Sequence, residues 1–417
     1  MRYPILSAIA AGASISVAMA TYASSQSEPI GMFRADSLVN SEFTLMTPMR
    51  FGALGDGSND DTAALNRMYA AARKAHQSVF LRGREYHVTG QIDARGVSTL
   101  GEGATLSFAL NSSKTPMAFF WGGTDSFVTE VNFQLSNSGA AAMQGVLNSV
   151  NDVTNQRFYR NRVVCAATDK SGVKSNIYGL WMTGTGLDGV SISDNRFENC
   201  TYGAQINNQN GMSQSVRTNP LGKPSSHINI SNNTFIDATL GINTPHIFVS
   251  DVVIADNTIE PKNLRLDLPL NVAHVSRLSI SGNVVTSNAS SANGTLHVED
   301  ASGAVTITGN VITVKGKNNG IEVGVRPSVS HDVEQSNRMT ITGNHVAGPG
   351  ADAVETVGIL LPDRGTVNTT ISGNYVANFA RCVDSVDVSN ISGNTLAHCV
   401  TPIAGAKSPL YPNMVSE

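Results

Sequence analysis

A short pattern centred on asparagine recurs through most of this 417-residue chain and limits what it can fold into. Its clearest copies are Ser279-Ile280-Ser281-Gly282-Asn283-Val284-Val285, Thr306-Ile307-Thr308-Gly309-Asn310 and Thr340-Ile341-Thr342-Gly343-Asn344. Others centre on Asn195, Asn233, Asn257, Asn374 and Asn394, with a degenerate first copy at Asn161. Successive asparagines lie between 20 and 38 residues apart. Repetition at that period marks a solenoid, in which each unit buries its apolar side only against its neighbours. Within each copy, apolar residues alternate with Ser, Thr or Asn, so the unit is built from strands rather than helices. The expected fold is all-β, a right-handed parallel β-helix of about nine to eleven coils with strands about 4.8 Å apart.

The asparagine follows Gly, Asp or Asn at a sharp corner, where positive φ is often needed and Asn tolerates it. Identical amides stacked in register can also hydrogen-bond from coil to coil. These residues are expected to be scaffold rather than ligand contacts.

Only 14% of residues are charged and 6% aromatic, which suits short strands joined by many turns better than long helices. A net charge of −4 supplies no basic field, so no nucleic-acid partner is expected. Residues 1–23 read as an export signal: Arg2, the uncharged run Ile5 to Ala20, and small residues at Ala18, Ala20 and Ala23 for cleavage. The run is short for a membrane span, and none is expected after cleavage. The mature protein is expected to be secreted or periplasmic. Residues 24–48 then form an extension, 49–405 the solenoid and 406–417 a tail. Cys165, Cys200, Cys382 and Cys399 suit two disulfides in an oxidising compartment, with free buried thiols as the alternative. The first two follow neighbouring coil asparagines, as do the last two, a placement that suits disulfide reach within each pair.

An open stack needs covered ends. Phe51 to Thr62 is a turn-rich entry, and a helix is expected over Thr62 to Lys74, with Asn59 or Asp60 as its N-cap. Ala64, Leu65, Met68 and Ala72 share one face of it, suited to covering the first coil. The stretch FGALGDGSNDDTAAL (51–65), followed by VFLRGREYHV (79–88), closely resembles the opening of the pectate lyase superfamily, in its rhamnogalacturonase/epimerase-like branch. Arg82 stands where that pattern commonly has Pro. The resemblance implies the same parallel β-helix, and an activity among the lyases, glycoside hydrolases, epimerases and depolymerases of that group. In its pattern Asp56, Asp60 and Asp61 belong to the turn and cap. The group's better-defined catalytic segments (Asn-Thr-Asp, Gly-His-Gly, Asp-Pro-His-Asp) do not occur here, so a site must be argued from the residues themselves.

A second strand follows each asparagine turn. Registered by their Gly or apolar starts, these strands place Gln205, Asn243, Asp267, His297, Glu322 and Leu360 in one outward column, with Glu299, Asp300 and Arg326 close by. Two carboxylates flanking a histidine can divide general acid and base work. Asp267, His297, Glu322 and Arg326 are therefore the catalytic candidates. In a lyase, His297 would take the proton α to a uronate carboxylate that Arg326 neutralises. In an inverting hydrolase, Asp267 and Glu322 on alternate rungs would share the work. Gln205, Asn243, Glu299, Asp300 and Trp181 are candidate substrate contacts. The competing reading of the column is a solvated polar face. Trp121 and Trp181 read either as sugar platforms or as packing. The segments Asp169 to Lys174 and Gln209 to Ser226 are candidate groove walls. His227, His246, His274, His331 and His345 read as surface histidines at coil starts and turns.

No cysteine or histidine cluster has zinc spacing, and no cofactor is expected; calcium is compatible, but no spaced acidic motif calls for it. The expected function is a secreted polysaccharide-active enzyme, a lyase acting on an acidic polymer. The alternatives are a glycoside hydrolase of the same fold and a non-catalytic carbohydrate-binding β-helix.

Overall fold

The computed structural model describes residues 45–110, 117–137, 144–165, 178–207, 223–243, 249–261, 268–290, 293–324, 338–362, 368–386, 389–405 and 413–416. The expected export signal, most of the extension and tail, the segment Asp169 to Lys174 and most of Gln209 to Ser226 lie outside them. So do Asp267, Arg326, His246 and His331.

Each repeat winds into one coil of up to three short strands. From Val275 these are Val275–Ser281, Val284–Ser287 and Gly294–Glu299, and Ser302–Thr308 opens the next coil. Every strand pairs in parallel with its counterpart one coil on: Ile280 lies beside Ile307, Val285 beside Ile312 and Leu296 beside Ile321. The fold is a right-handed parallel β-helix. One of its faces is a sheet of twelve strands, from Ile92–Asp93 to Thr401–Ala404. The asparagine count falls short of this because the first coils, with strands Thr99–Leu110 and Phe127–Asn137, carry no copy of the motif.

Alternation decides which side chains fill the bore. Ile192, Ile230, Ile254, Ile280, Ile307, Ile341, Ile371 and Ile391 occupy successive rungs and are fully buried. Each contributes about 1.5–3 kcal/mol of burial free energy. Nearer the N-terminus, Phe133, Phe158, Phe197 and Phe235 stack along the axis with centroids 6.1, 6.5 and 4.9 Å apart.

The asparagines form a continuous ladder. Asn283, which is fully buried, donates from Nδ2 to Asn310 Oδ1 (2.9 Å) and to the Ile254 carbonyl (2.9 Å). Its Oδ1 accepts from the backbone N–H (3.0 Å) and Nδ2 (2.9 Å) of Asn257. The same amide-to-amide bond repeats from Asn161 to Asn394 and ends on Asn413. The left-handed residue at this corner is the one before the asparagine. Asp194, Asn232, Asp256, Gly282 and Gly309 have φ between 55 and 66°. That turn aims the asparagine side chain inward, and the asparagine itself does not carry the strained conformation.

Both disulfides form between neighbouring coils, Cys165–Cys200 with Cα atoms 5.1 Å apart and Cys382–Cys399 with 5.7 Å. The helix runs Thr62–Ala75 and buries Ala64, Leu65, Met68, Tyr69 and Ala72. Its N-cap position is Asp61, not Asn59 or Asp60, and Asp61 makes no side-chain cap. Instead the buried Asp61 carboxylate accepts the Leu54 (2.7 Å) and Gly55 (3.0 Å) N–H groups and closes the entry turn. Asp60 accepts Thr62 N–H (3.0 Å) and Thr89 Oγ1–H (2.8 Å), fastening the helix start to the first coil.

Candidate functional site

Outward positions of the twelve-strand sheet line up from rung to rung, because every pairing in it is parallel. One column reads Trp181, Gln205, Gly241, Asn271, His297, Glu322, Leu360 and Asp384. His297, Glu322, Gln205 and Leu360 thus share the column expected from the sequence. Two members differ. Asn271 stands beside His297 where Asp267 was expected, because the described strand there is Leu270–Ala273; Asp267 itself lies outside the described residues. Pro269, which cannot donate to the ladder, immediately precedes that strand and marks its start. Gly241 takes the place expected of Asn243, whose backbone lies two residues on, beside Ala273.

His297 is held between its two neighbours. Its Nδ1–H donates to Asn271 Oδ1 (3.0 Å), and Nε2 faces Glu322 Oε1 at 3.8 Å. The side chains are 13% and 16% exposed, enough shielding to strengthen the pair and enough opening for a substrate. Asn319 Nδ2 donates to Glu322 Oε2 (3.1 Å), orienting the carboxylate from its own strand. With Nδ1 protonated and tied to the amide, the neutral imidazole carries its lone pair on Nε2. That is the arrangement of a general base with a carboxylate beside it. The next carboxylate along, Asp384, accepts from Arg381 Nη1 at 2.5 Å and is an ion-pair partner.

Glu299 is the outward residue two positions past His297, and the rungs on either side of it hold Ala273 and Gly324. Asp300, expected to contact substrate, is completely buried. Its positive φ of 50° breaks the alternation and turns the carboxylate into the corner, where Oδ2 lies 3.4 Å from His274 Nε2. His274 is correspondingly buried rather than a surface residue, its side chain 7% exposed. Nothing in local sequence distinguishes these corner residues from outward ones.

At the other end of the column Tyr178 lies between Trp181 (4.6 Å, 16°) and Tyr202 (4.7 Å, 16°). Burial, reinforced by the neighbouring Tyr202, pushes the Tyr178 hydroxyl up to about 12. The half-buried Trp181 belongs to this outward aromatic stack, whereas Trp121 is fully buried core. Among the described residues, no group of three or more His, Cys, Asp or Glu side chains could hold a metal ion.

No protein-family model and no curated protein sequence matches the chain. Among solved structures, the chain is similar to PfbA, a surface adhesin of Streptococcus pneumoniae. The TM-score is 0.58 at 13% identity, over 88% of this chain and 91% of that one. It is also similar to the catalytic unit of a GH87 α-1,3-glucanase from Streptomyces thermodiastaticus. Here the TM-score is 0.50 at 15% identity, over 90% of this chain and 68% of that one. What they share is the parallel β-helix. At these identities the likeness concerns the fold alone.

Proposed function

We propose that this protein is an exported polysaccharide-active β-helix that binds an extended acidic glycan along the twelve-strand sheet and cleaves it by β-elimination. The observation that carries this reading is the His297 imidazole held between Asn271 and Glu322 on a half-open, rung-by-rung polar face. Nε2 of His297 would take the proton α to the uronate carboxylate. The released electron pair forms the carbon–carbon double bond and expels the β-glycosidic oxygen, which takes its proton from water, while the Glu322 carboxylate steadies the imidazolium left on His297. Arg326, outside the described residues, is proposed to neutralise the uronate. The Trp181–Tyr178–Tyr202 stack, Gln205 and Glu299 would bind flanking sugars. With Asn271 in the place of Asp267, His297 is paired with a single carboxylate in the described column, which favours elimination over the two-carboxylate inverting route. Export is supported by two disulfides and by the apolar run near the N-terminus. No described helix is long and apolar enough to cross a membrane.

A second reading is a glycan-binding module without catalysis. It is supported by the shape shared with an adhesin over nearly the whole of both chains. Incubation with polygalacturonate, alginate and neutral glucans separates these readings. Ultraviolet-absorbing unsaturated ends that vanish in His297→Ala and Glu322→Gln are the expected result. New reducing ends without unsaturation would make it a hydrolase, and retention without cleavage would make it a module.

A further inference from the structure

Away from the twelve-strand sheet, the strands Ser225–Ser231, Val249–Ala255, Val275–Ser281 and Ser302–Thr308 bear a hollow of about 580 Å³. Its floor includes Asn229, Ser279 and the exposed apolar Val253, and one wall is His227, Asp251 and Arg277 on three successive rungs. These three residues adopt left-handed backbone, with φ of 53, 56 and 56°. Gly189 one rung before and Gly303 one rung after take the same conformation (φ 72 and 71°), as only glycine does without steric cost. Asn155, one rung before Gly189 and outside the hollow, shares this backbone too (φ 53°), so the conformation belongs to the coil and the side chains over the hollow are what distinguishes it.

Each carboxylate of the wall is met by a basic side chain. Asp251 accepts a bidentate Arg277 fork (2.6 and 2.7 Å), and Asp188 accepts His227 Nδ1 at 2.6 Å. His227 Nε2 and Arg277 Nη1 make no hydrogen bond among the described residues and both side chains are exposed, so hydrogen-bonding capacity is left open. Planar donors and acceptors beside the exposed Val253 suit vicinal hydroxyls and the C–H face of a sugar, and the two carboxylates give an anionic polymer no advantage.

We propose that this hollow is a second, neutral-glycan binding site, separate from the His297 column and different in ligand class. Its occupant is a hydroxyl-rich neutral polysaccharide, gripped weakly because no aromatic ring lines the floor.

Affinity electrophoresis through gels containing dextran, laminarin or galactomannan tests this on the full chain. The native protein is expected to be retarded at least twofold by one of these. Asp251→Gly and Arg277→Gly remove the side chains while relieving the backbone, and are expected to migrate freely with melting temperatures held or raised. Ser279→Trp, which fills the hollow from its floor, is expected to do the same. His297→Ala is expected to keep full retardation, so failure of the cleavage reading and failure of this one are separable. Three results overturn the proposal: no retardation by any neutral polymer, equal retardation of native and all three hollow variants, or retardation confined to polygalacturonate and alginate.

Discussion

Replacing Asn283 by alanine measures what the amide ladder contributes. The substitution removes the donor to the Ile254 carbonyl and to Asn310 Oδ1, and the acceptor of two bonds from Asn257. The Asn310 oxygen keeps its bond from the backbone N–H of residue 283, and Asn257 Nδ2 keeps the Ile230 carbonyl (2.9 Å). One group loses the only partner shown for it, the buried Asn257 N–H, whereas the Ile254 carbonyl lies in a strand paired with the next coil. Stranding a buried backbone group costs about 1–3 kcal/mol, and the expected loss lies in that range. The gap left by the missing amide is small and polar, and a single water recovers at most part of this. Denaturant titration followed by circular dichroism should show a lower midpoint. Because a solenoid can unfold in segments, amide exchange at Asn257 is the sharper readout. Its protection should fall by roughly ten- to a hundredfold, following the tenfold per 1.4 kcal/mol relation. The double variant Asn257→Ala/Asn283→Ala should cost less than the sum of the singles, because it removes donor and acceptor together. Unchanged Asn257 exchange, or strict additivity, would show that the ladder is a by-product of packing.

Three further outcomes are expected. Reduction of Cys165–Cys200, which closes a 35-residue separation, should destabilise by about 4 kcal/mol, against about 3 kcal/mol for the 17-residue Cys382–Cys399 link; serine pairs unfolded with and without reductant check this. At Asp60 burial works against the charge, but hydrogen bonds from Thr62 and Thr89 outweigh it and lower the pKa from 3.8 to about 2. A depressed folded pKa stabilises above the unfolded value, so the Asp60 contribution should be complete above about pH 4 and lost as pH falls through about 2. Asp60→Asn should flatten that part of the stability–pH curve and raise amide exchange in the helix Thr62–Ala75. Gly316→Ala places a methyl against the Ala289 carbonyl, which already accepts the Lys317 N–H (3.0 Å), and should cost about 1–3 kcal/mol by thermal melting; an unchanged melting temperature would show that this turn has slack.

The architecture was legible because the ladder repeats its own letter: each asparagine marks a corner, and the isoleucine three residues before it a strand. The first coils were not, since Phe127 to Asn137 alternates without any such marker. The site was half legible. His297 and Glu322 sit on strands of the same length with glycine near their starts, so matching starts gave the right register. The coil between Asn257 and Asn283 carries a run, 264–268, that alternates as a strand should, and only Pro269 signals where pairing begins. Alternation also could not foresee Asp300 or His274, whose positive φ turns them inward. The same local rule hides the wall of His227, Asp251 and Arg277, which becomes visible only once Gly189 and Gly303 are seen to share its backbone.

Because each amide bonds only within its own coil and the two beside it, the ladder has no preferred number of rungs. The 26 residues from Asn257 to Asn283 and the 27 from Asn283 to Asn310 are each a closed turn that begins and ends on the same bond. Copying or deleting one such turn in the gene would reconnect the amides and lengthen or shorten both outer surfaces by a single step, without rebuilding either. Length is thus an inherited variable that selection can adjust in whole units, while Asp61 and the helix at the entry stay in place.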